Sequence, residues 1–184
     1  MSDPPEEFGL YFLVFPEQRA AARIETLARR YRAEYGFRGK PRPTSIFHVS
    51  LQNLGQYDEL PLSAINERKA NDAAAQVKAN PFVVMFNRVE SFSGGGGRYP
   101  LVLRGDDGVV GLEMLGRSLG VSMRMAGLKA RFDFTPHLTL LYGERPIRER
   151  FIQPISWTVR EFVLVRSLIG KSKYIRLGRW PLDA

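Results

Sequence analysis

The chain has 184 residues, 44% hydrophobic and 25% charged, which fits one large globular domain or two closely packed lobes with a substantial core. It contains no cysteine, which excludes disulfides, thiolate chemistry and cysteine zinc sites; with only two histidines a metal would have to lean on carboxylates, so neither metal nor cofactor is expected. Lys plus Arg total 27 against 19 Asp plus Glu, a formal charge of +8 and a pI near 10.0, a balance that favours polyanions or phosphorylated substrates as partners.

Residues 1–7, MSDPPEE, are acidic and carry proline, without the basic and then apolar order of a secretory signal. No apolar run approaches membrane-spanning length, so a cytoplasmic protein with no membrane contact is expected. Residues 8–15, FGLYFLVF, read as a strand buried on both faces. Pro16 is placed to fix the first turn of a helix over 17–35. Ile24, Leu27, Ala28, Tyr31 and Tyr35 form its inner stripe, while Arg19, Arg23, Arg29 and Arg30 make a solvated face. Gly36 is placed to cap it. Residues 37–45, FRGKPRPTS, form a basic loop whose Arg38, Lys40 and Arg42 either touch a phosphate chain entering a site or are solvated charges.

A strand follows over 47–55, then a helix over about 60–79 with Leu62, Ile65, Ala73 and Val77 inward and Asn80-Pro81 ending it. Residues 82–92 and 99–104 read as strands joined by SGGGGR at 93–98. The four glycines suggest a phosphate loop, but the lysine and the Ser or Thr of that motif are missing and no helix opens directly after them, so a hairpin turn is the better account. Asp106 or Asp107 can cap a third helix over about 109–126 that buries Leu112, Leu115, Leu119 and Met123. Gly116 and Gly120 weaken that helix by about 1 kcal/mol each relative to alanine. After Gly127 a second histidine strand begins, and the chain closes with strands over 157–167 and 174–180 around a turn at Gly170. Helix, glycine stop, short loop and histidine strand thus occur twice, which predicts two lobes related by an approximate internal twofold.

Both histidines stand in the same pattern: His48-Val49-Ser50-Leu51 within FHVSLQNLG, and His137-Leu138-Thr139-Leu140 within PHLTLLYG. On an extended strand alternate side chains share a face, so each copy offers an imidazole and a hydroxyl on one side and an apolar pair for burial on the other. Side by side, the two strands can flank one small group with two imidazoles.

These residues resemble the 2H phosphoesterase superfamily, and within it the bacterial RNA 2',3'-cyclic phosphodiesterase group, historically called 2'-5' RNA ligases. HVSLQNLG looks like that group's first motif and PHLTLL like its second, and the tail over 162–182 is similar to the family's closing pattern of serine, glycine, tyrosine and Pro-Leu. The resemblance implies a single bilobal α+β domain in which two antiparallel sheets line a central cleft with helices outside. It also implies a metal-independent reaction that opens the 2',3'-cyclic phosphate end of RNA or an oligonucleotide to a 2'-phosphate, with reverse 2'-5' ligation as a side activity; a monomer is expected. On this reading His48 is the proton donor to the departing 3' oxygen, His137 is the proton acceptor that activates water, and Ser50 and Thr139 hold the nonbridging oxygens. Histidine suits both roles because its usual pKa, about 6.5, makes either form accessible near neutrality.

One departure stands out: many members of the group carry arginine five residues after the second histidine, where this chain has Tyr142. A tyrosine can stack or hydrogen-bond but brings no charge, and Arg42, Arg98, Arg145 or Lys173 are the candidates to supply it. Two other readings remain open, a phosphodiesterase acting on a small cyclic nucleotide or ADP-ribose cyclic phosphate, and a non-catalytic basic RNA-binding module.

Overall fold

The structure, a computed structural model, describes residues 7–57 and 60–183; the acidic start of the chain and the side chain of Leu62 lie outside the described residues. In chain order the elements are β1 (Phe8–Val14), α1 (Gln18–Tyr35), β2 (Val49–Tyr57), α2 (Leu60–Ala75), β3 (Phe82–Ser91), β4 (Tyr99–Arg104), α3 (Val110–Met125), β5 (Leu138–Gly143), β6 (Arg150–Val159), β7 (Glu161–Leu168) and β8 (Lys173–Pro181). The strands pair antiparallel in the order β6-β3-β4-β5-β2-β1-β7-β8. Between β5 and β2 the ladder is a single pair, Val49 with Leu138, so two halves of four strands meet at one point. The sequence leads to two sheets; the structure links them there into one eight-stranded sheet.

The halves repeat one another. β1 returns through α1 to pair as β2, and β4 returns through α3 to pair as β5 in the other half. α1 packs on β5 and β6, while α3 reaches β2 as well as β3, so each of these helices crosses the join. Only Arg160 separates β6 from β7, which belong to different halves, and the sheet therefore curls around its core. Trp157, Val159, Phe162 and Leu164 all enter one apolar cluster with Phe12, Val14, Ile24, Leu112 and Leu119.

Alternation along the strands sorts the two faces. Phe12 and Val14 of β1 face the helices, whereas Leu13 joins Val163 and Val165 on the opposite face, rimmed by Tyr11, Phe15 and Tyr174. The helix-covered face is the core, and the other face carries the polar half of each histidine motif. No helix among the described residues is long and apolar enough to cross a membrane.

Several local expectations change. Pro16 precedes Glu17, the N-cap residue, so it stands outside the first turn rather than in it. Ile65 is 46% exposed; α2 buries Ala73 as expected and also Ala70 and Ala74, small residues that let it lie close to α3, and Val77 is only partly buried. That helix ends at Ala75, ahead of Asn80-Pro81, because the Gln76 and Val77 N–H groups turn back to the carbonyls of Ala73 and Ala74. Neither Asp106 nor Asp107 caps α3 with its side chain; a 3₁₀ turn over Asp107–Val109 leads into the helix, and Asp106 pairs with Arg88. The strand expected over 157–167 is divided at Arg160, and its first part begins as early as Arg150.

Candidate active site

The ladder begins at Val49 and at Leu138, so each histidine stands one residue before its strand. Continuing the antiparallel register of the Val49–Leu138 pair by one residue sets His48 opposite Thr139 and Ser50 opposite His137. Val49, Leu51, Leu138 and Leu140 are buried toward the helices, while His48, Ser50, His137 and Thr139 are all partly exposed on the other face. Across such a pair, opposed Cβ atoms stand about 4.5–5.5 Å apart and diagonal neighbours about 7–8 Å. The two imidazoles thus occupy one diagonal and the two hydroxyls the other. Side chains at that spacing can meet a tetrahedral phosphate from two sides.

Both rings are seated by the same device. His48 Nδ1 lies 2.7 Å from the carbonyl oxygen of Ile46, and His137 Nδ1 lies 2.8 Å from that of Thr135, in each case two residues back. A carbonyl can only accept, so Nδ1 carries the proton and donates it, which leaves Nε2 as the atom that takes up or gives a proton. An aromatic ring meets each imidazole edge-on: Phe92 against His137 at 4.8 Å between centroids, and Tyr174 and Phe15 against His48 at 5.4 and 6.5 Å. Behind these rings lie cations, Arg104 over Phe92 and Arg176 over Phe15.

The surroundings of the two rings differ in charge. Arg42 Nη2 donates to the Tyr174 hydroxyl at 3.3 Å, and that oxygen is 3.4 Å from His48 Nδ1, a second acceptor for the ring proton. Burial above all, then the positive charges of Arg42 and His137, lower the His48 pKa from 6.5 to about 4, against the opposing effect of the Ile46 carbonyl. His48 is therefore neutral near pH 7. Burial likewise raises the pKa of Tyr174, whose hydroxyl keeps its proton.

The lowered pKa links His48 to stability. Between pH 6.5 and about 4 the unfolded chain binds a proton at His48 that the folded chain refuses, so this contribution to unfolding free energy is complete above pH 6.5 and falls as pH is lowered through that window. Urea denaturation of the wild type and of His48→Gln at pH 7 and pH 4 reads it. The wild type is expected to lose up to about 3 kcal/mol more than the variant over that interval. Equal losses would contradict the neutral, half-buried ring.

Gln52, inside the first motif, supports the second. Its Nε2 donates to the carbonyls of Gly116 at 2.9 Å and Arg131 at 2.7 Å, and its Oε1 accepts the Arg131 N–H at 2.9 Å. That amide ties β2 to α3 and to the loop that delivers His137. The two helix glycines thereby gain a reason: a Cβ on Gly116 would stand 2.6 Å from the Phe134 ring, and one on Gly120 3.0 Å from Gln52 Nε2. The loop closes one side of a cavity of about 380 Å³ beside His137, lined also by Tyr11, Ser50, Asn53 and Phe92. A larger hollow of about 550 Å³ lies on the helix side between α1 and β6 and includes neither histidine.

Among the charges considered as stand-ins for the missing arginine, Arg42 is the one linked to a histidine, through Tyr174. Tyr142, 43% exposed, occupies β5 beyond Thr139 and lies near enough to Tyr174 to add to the upward shift of its pKa. Arg145 donates to the Tyr35 carbonyl at 2.7 Å, at the end of α1, and Arg98 closes the glycine hairpin through its N–H to Gly95. Lys173 opens β8, opposite Leu168. None of these last three contacts an imidazole among the described interactions. Sequence reasoning passes over Phe15, Phe92, Gln52 and the contact of Tyr174. Of these only Gln52, a polar residue within a motif strand, carries any local signal.

The family model of the 2'-5' RNA ligase superfamily matches residues 16–170 of the chain. No curated protein matches it. Among solved structures, E. coli LigT in its apo form is similar with a TM-score of 0.72 at 23% identity, covering 97% of this chain and 99% of that one. E. coli LigT complexed with 3'-AMP is similar with a TM-score of 0.70 at 24% identity, covering 97% and 100%. TT0787 of Thermus thermophilus has a TM-score of 0.71 at 22% identity, covering 95% and 97%. At these identities the structural likeness speaks for the fold.

Proposed function

We propose that this chain, which belongs to the 2'-5' RNA ligase superfamily of 2H phosphoesterases, hydrolyses the 2',3'-cyclic phosphate end of RNA or oligonucleotides to a 2'-phosphate. The observation that supports the reading is the Val49–Leu138 pair, whose register brings both histidine motifs together on the open face of the sheet. E. coli LigT has been solved complexed with 3'-AMP, which supports a nucleotide as the kind of ligand this chain takes. The protein acts as a cytoplasmic monomer, one chain supplying both histidines.

In this mechanism the Ser50 and Thr139 hydroxyls donate to the nonbridging oxygens, where negative charge grows as water adds to phosphorus. One imidazole takes the proton of the attacking water at Nε2. As the new P–O bond forms and the P–O3' bond breaks, the other gives its proton to O3'. The family assignment makes His48 the donor and His137 the acceptor. A second assignment, reversed, is favoured by burial: His48, with its pKa lowered to about 4, stands ready as a base in the free protein.

Incubation with a 2',3'-cyclic mononucleotide and with an oligonucleotide bearing the same end, followed by separation of products, tests the function. Both are expected to yield 2'-phosphates. Turnover of the mononucleotide alone would move the substrate to small cyclic nucleotides, and binding without turnover of either would make the chain an RNA-binding module.

A further inference from the structure

The segment between α1 and the first motif has a shape dictated by its sequence. Pro41 and Pro43 keep the residues before them, Lys40 and Arg42, out of the helical region and extended. The Arg42 N–H donates to the Leu140 carbonyl at 2.8 Å, which lays the segment against β5. Gly39 makes the approach possible, since a Cβ there would stand 2.0 Å from the Tyr142 carbonyl oxygen. Lys40 and Arg42, each extended ahead of its proline, stand two residues apart at an interval of ~6.6 Å, and Arg38 lies just before the bend at Gly39.

Arg42 is the inner end of this row. Its guanidinium reaches Tyr174 beside His48, and its Nε is buried without a hydrogen-bond partner. Lys40 and Arg38 are exposed and lead outward. Among the described ion pairs none involves these three side chains, whereas Arg29, Arg30 and Arg150 nearby are each paired with a glutamate. The one carboxylate contact is to the Arg38 backbone N–H, from Glu144 at 3.3 Å. Next to the row, Tyr142 leaves a ring 43% exposed.

We propose that this row is a track for the sugar-phosphate chain leading to the cyclic end, with Lys40 and Arg38 meeting successive phosphates outward from Arg42 and Tyr142 stacking on a base. The inference rests on the function proposed above and gives it a preferred substrate, a single-stranded oligonucleotide over a lone nucleotide. Cations outside any described ion pair, following one another along a surface loop beside an exposed aromatic ring, are the ingredients of sequence-tolerant single-strand binding.

The test is the double variant Arg38→Gln, Lys40→Gln, two exposed side chains away from the reacting atoms. Hydrolysis of a 2',3'-cyclic mononucleotide should be unchanged in kcat and KM. For an oligonucleotide with the same end, KM should rise about tenfold at low salt with kcat unchanged, and the dependence of log KM on log salt should become shallower by about 1.4, or 0.7 for each phosphate contact removed. Equal effects on both substrates, or an unaltered salt slope, would overturn the track. If the parent protein hydrolyses neither substrate, it is the proposed function that fails. Fluorescence anisotropy with the same oligonucleotide then decides the track separately: weaker binding by the double variant upholds it, and undiminished binding overturns it.

Discussion

Replacing either histidine by alanine is expected to lower kcat by about 10²–10⁴, the range that a positioned general acid or base contributes. The double variant should fall little further than the worse single one, because an acid and a base acting in one step are not additive. Folding should survive both changes, since each ring sits on the open face and the apolar partners of each motif, Val49 and Leu51 or Leu138 and Leu140, remain buried. The two roles separate with a substrate whose 3' bridging oxygen is sulfur, a leaving group that needs no proton. The variant lacking the acid should regain most of its rate with that substrate, and the variant lacking the base should not. Recovery of His48→Ala alone supports the family assignment, recovery of His137→Ala alone supports the reversed one, and recovery of neither contradicts two-histidine catalysis.

The second large effect concerns the mount of the first ring. Phe47, between the Ile46 carbonyl that holds His48 and His48 itself, is fully buried in the main apolar cluster. Phe47→Ala removes a large side chain from a close-packed core and should cost about 3–5 kcal/mol, lowering Tm by roughly 10 °C for a chain of this size. Phe47→Leu keeps most of the volume and should cost less than about 1.5 kcal/mol. Thermal unfolding followed by circular dichroism measures both. A small loss for the alanine variant would contradict the packing that positions His48.

The histidine pair is legible in the sequence because strand periodicity turns a spacing into a face: His48 and Ser50, or His137 and Thr139, can only share a side if the run is extended. α1 is equally legible, its stripe of Ile24, Ala28 and Tyr31 being buried as the spacing predicts. The aromatic contacts are not. Phe15 and Phe92 reach the imidazoles from just after β1 and β3, and Tyr174 from β8, and no local pattern encodes which aromatic residue meets which ring. The division at Arg160 also escapes a local reading, since no glycine or proline marks it and the break arises because the chain passes from one half of the sheet to the other. β6 carries Pro154, which argues against a central strand but is tolerated here because β6 lies at the edge. Gly116 and Gly120 look like defects in α3 when only helix propensity is considered, and their use appears once Gln52 and Phe134 are seen against them.

Phosphorus NMR of an oligonucleotide bearing a 2',3'-cyclic phosphate, incubated with the protein in ¹⁸O-labelled water, tests the central claim most directly. The cyclic resonance should give way to a 2'-phosphate monoester carrying one ¹⁸O, and should still be present when both His48 and His137 are alanine over the time in which the wild type consumes it. An intact cyclic resonance with the wild type, a 3'-phosphate product, or conversion in the double variant at a rate close to that of the wild type would contradict it.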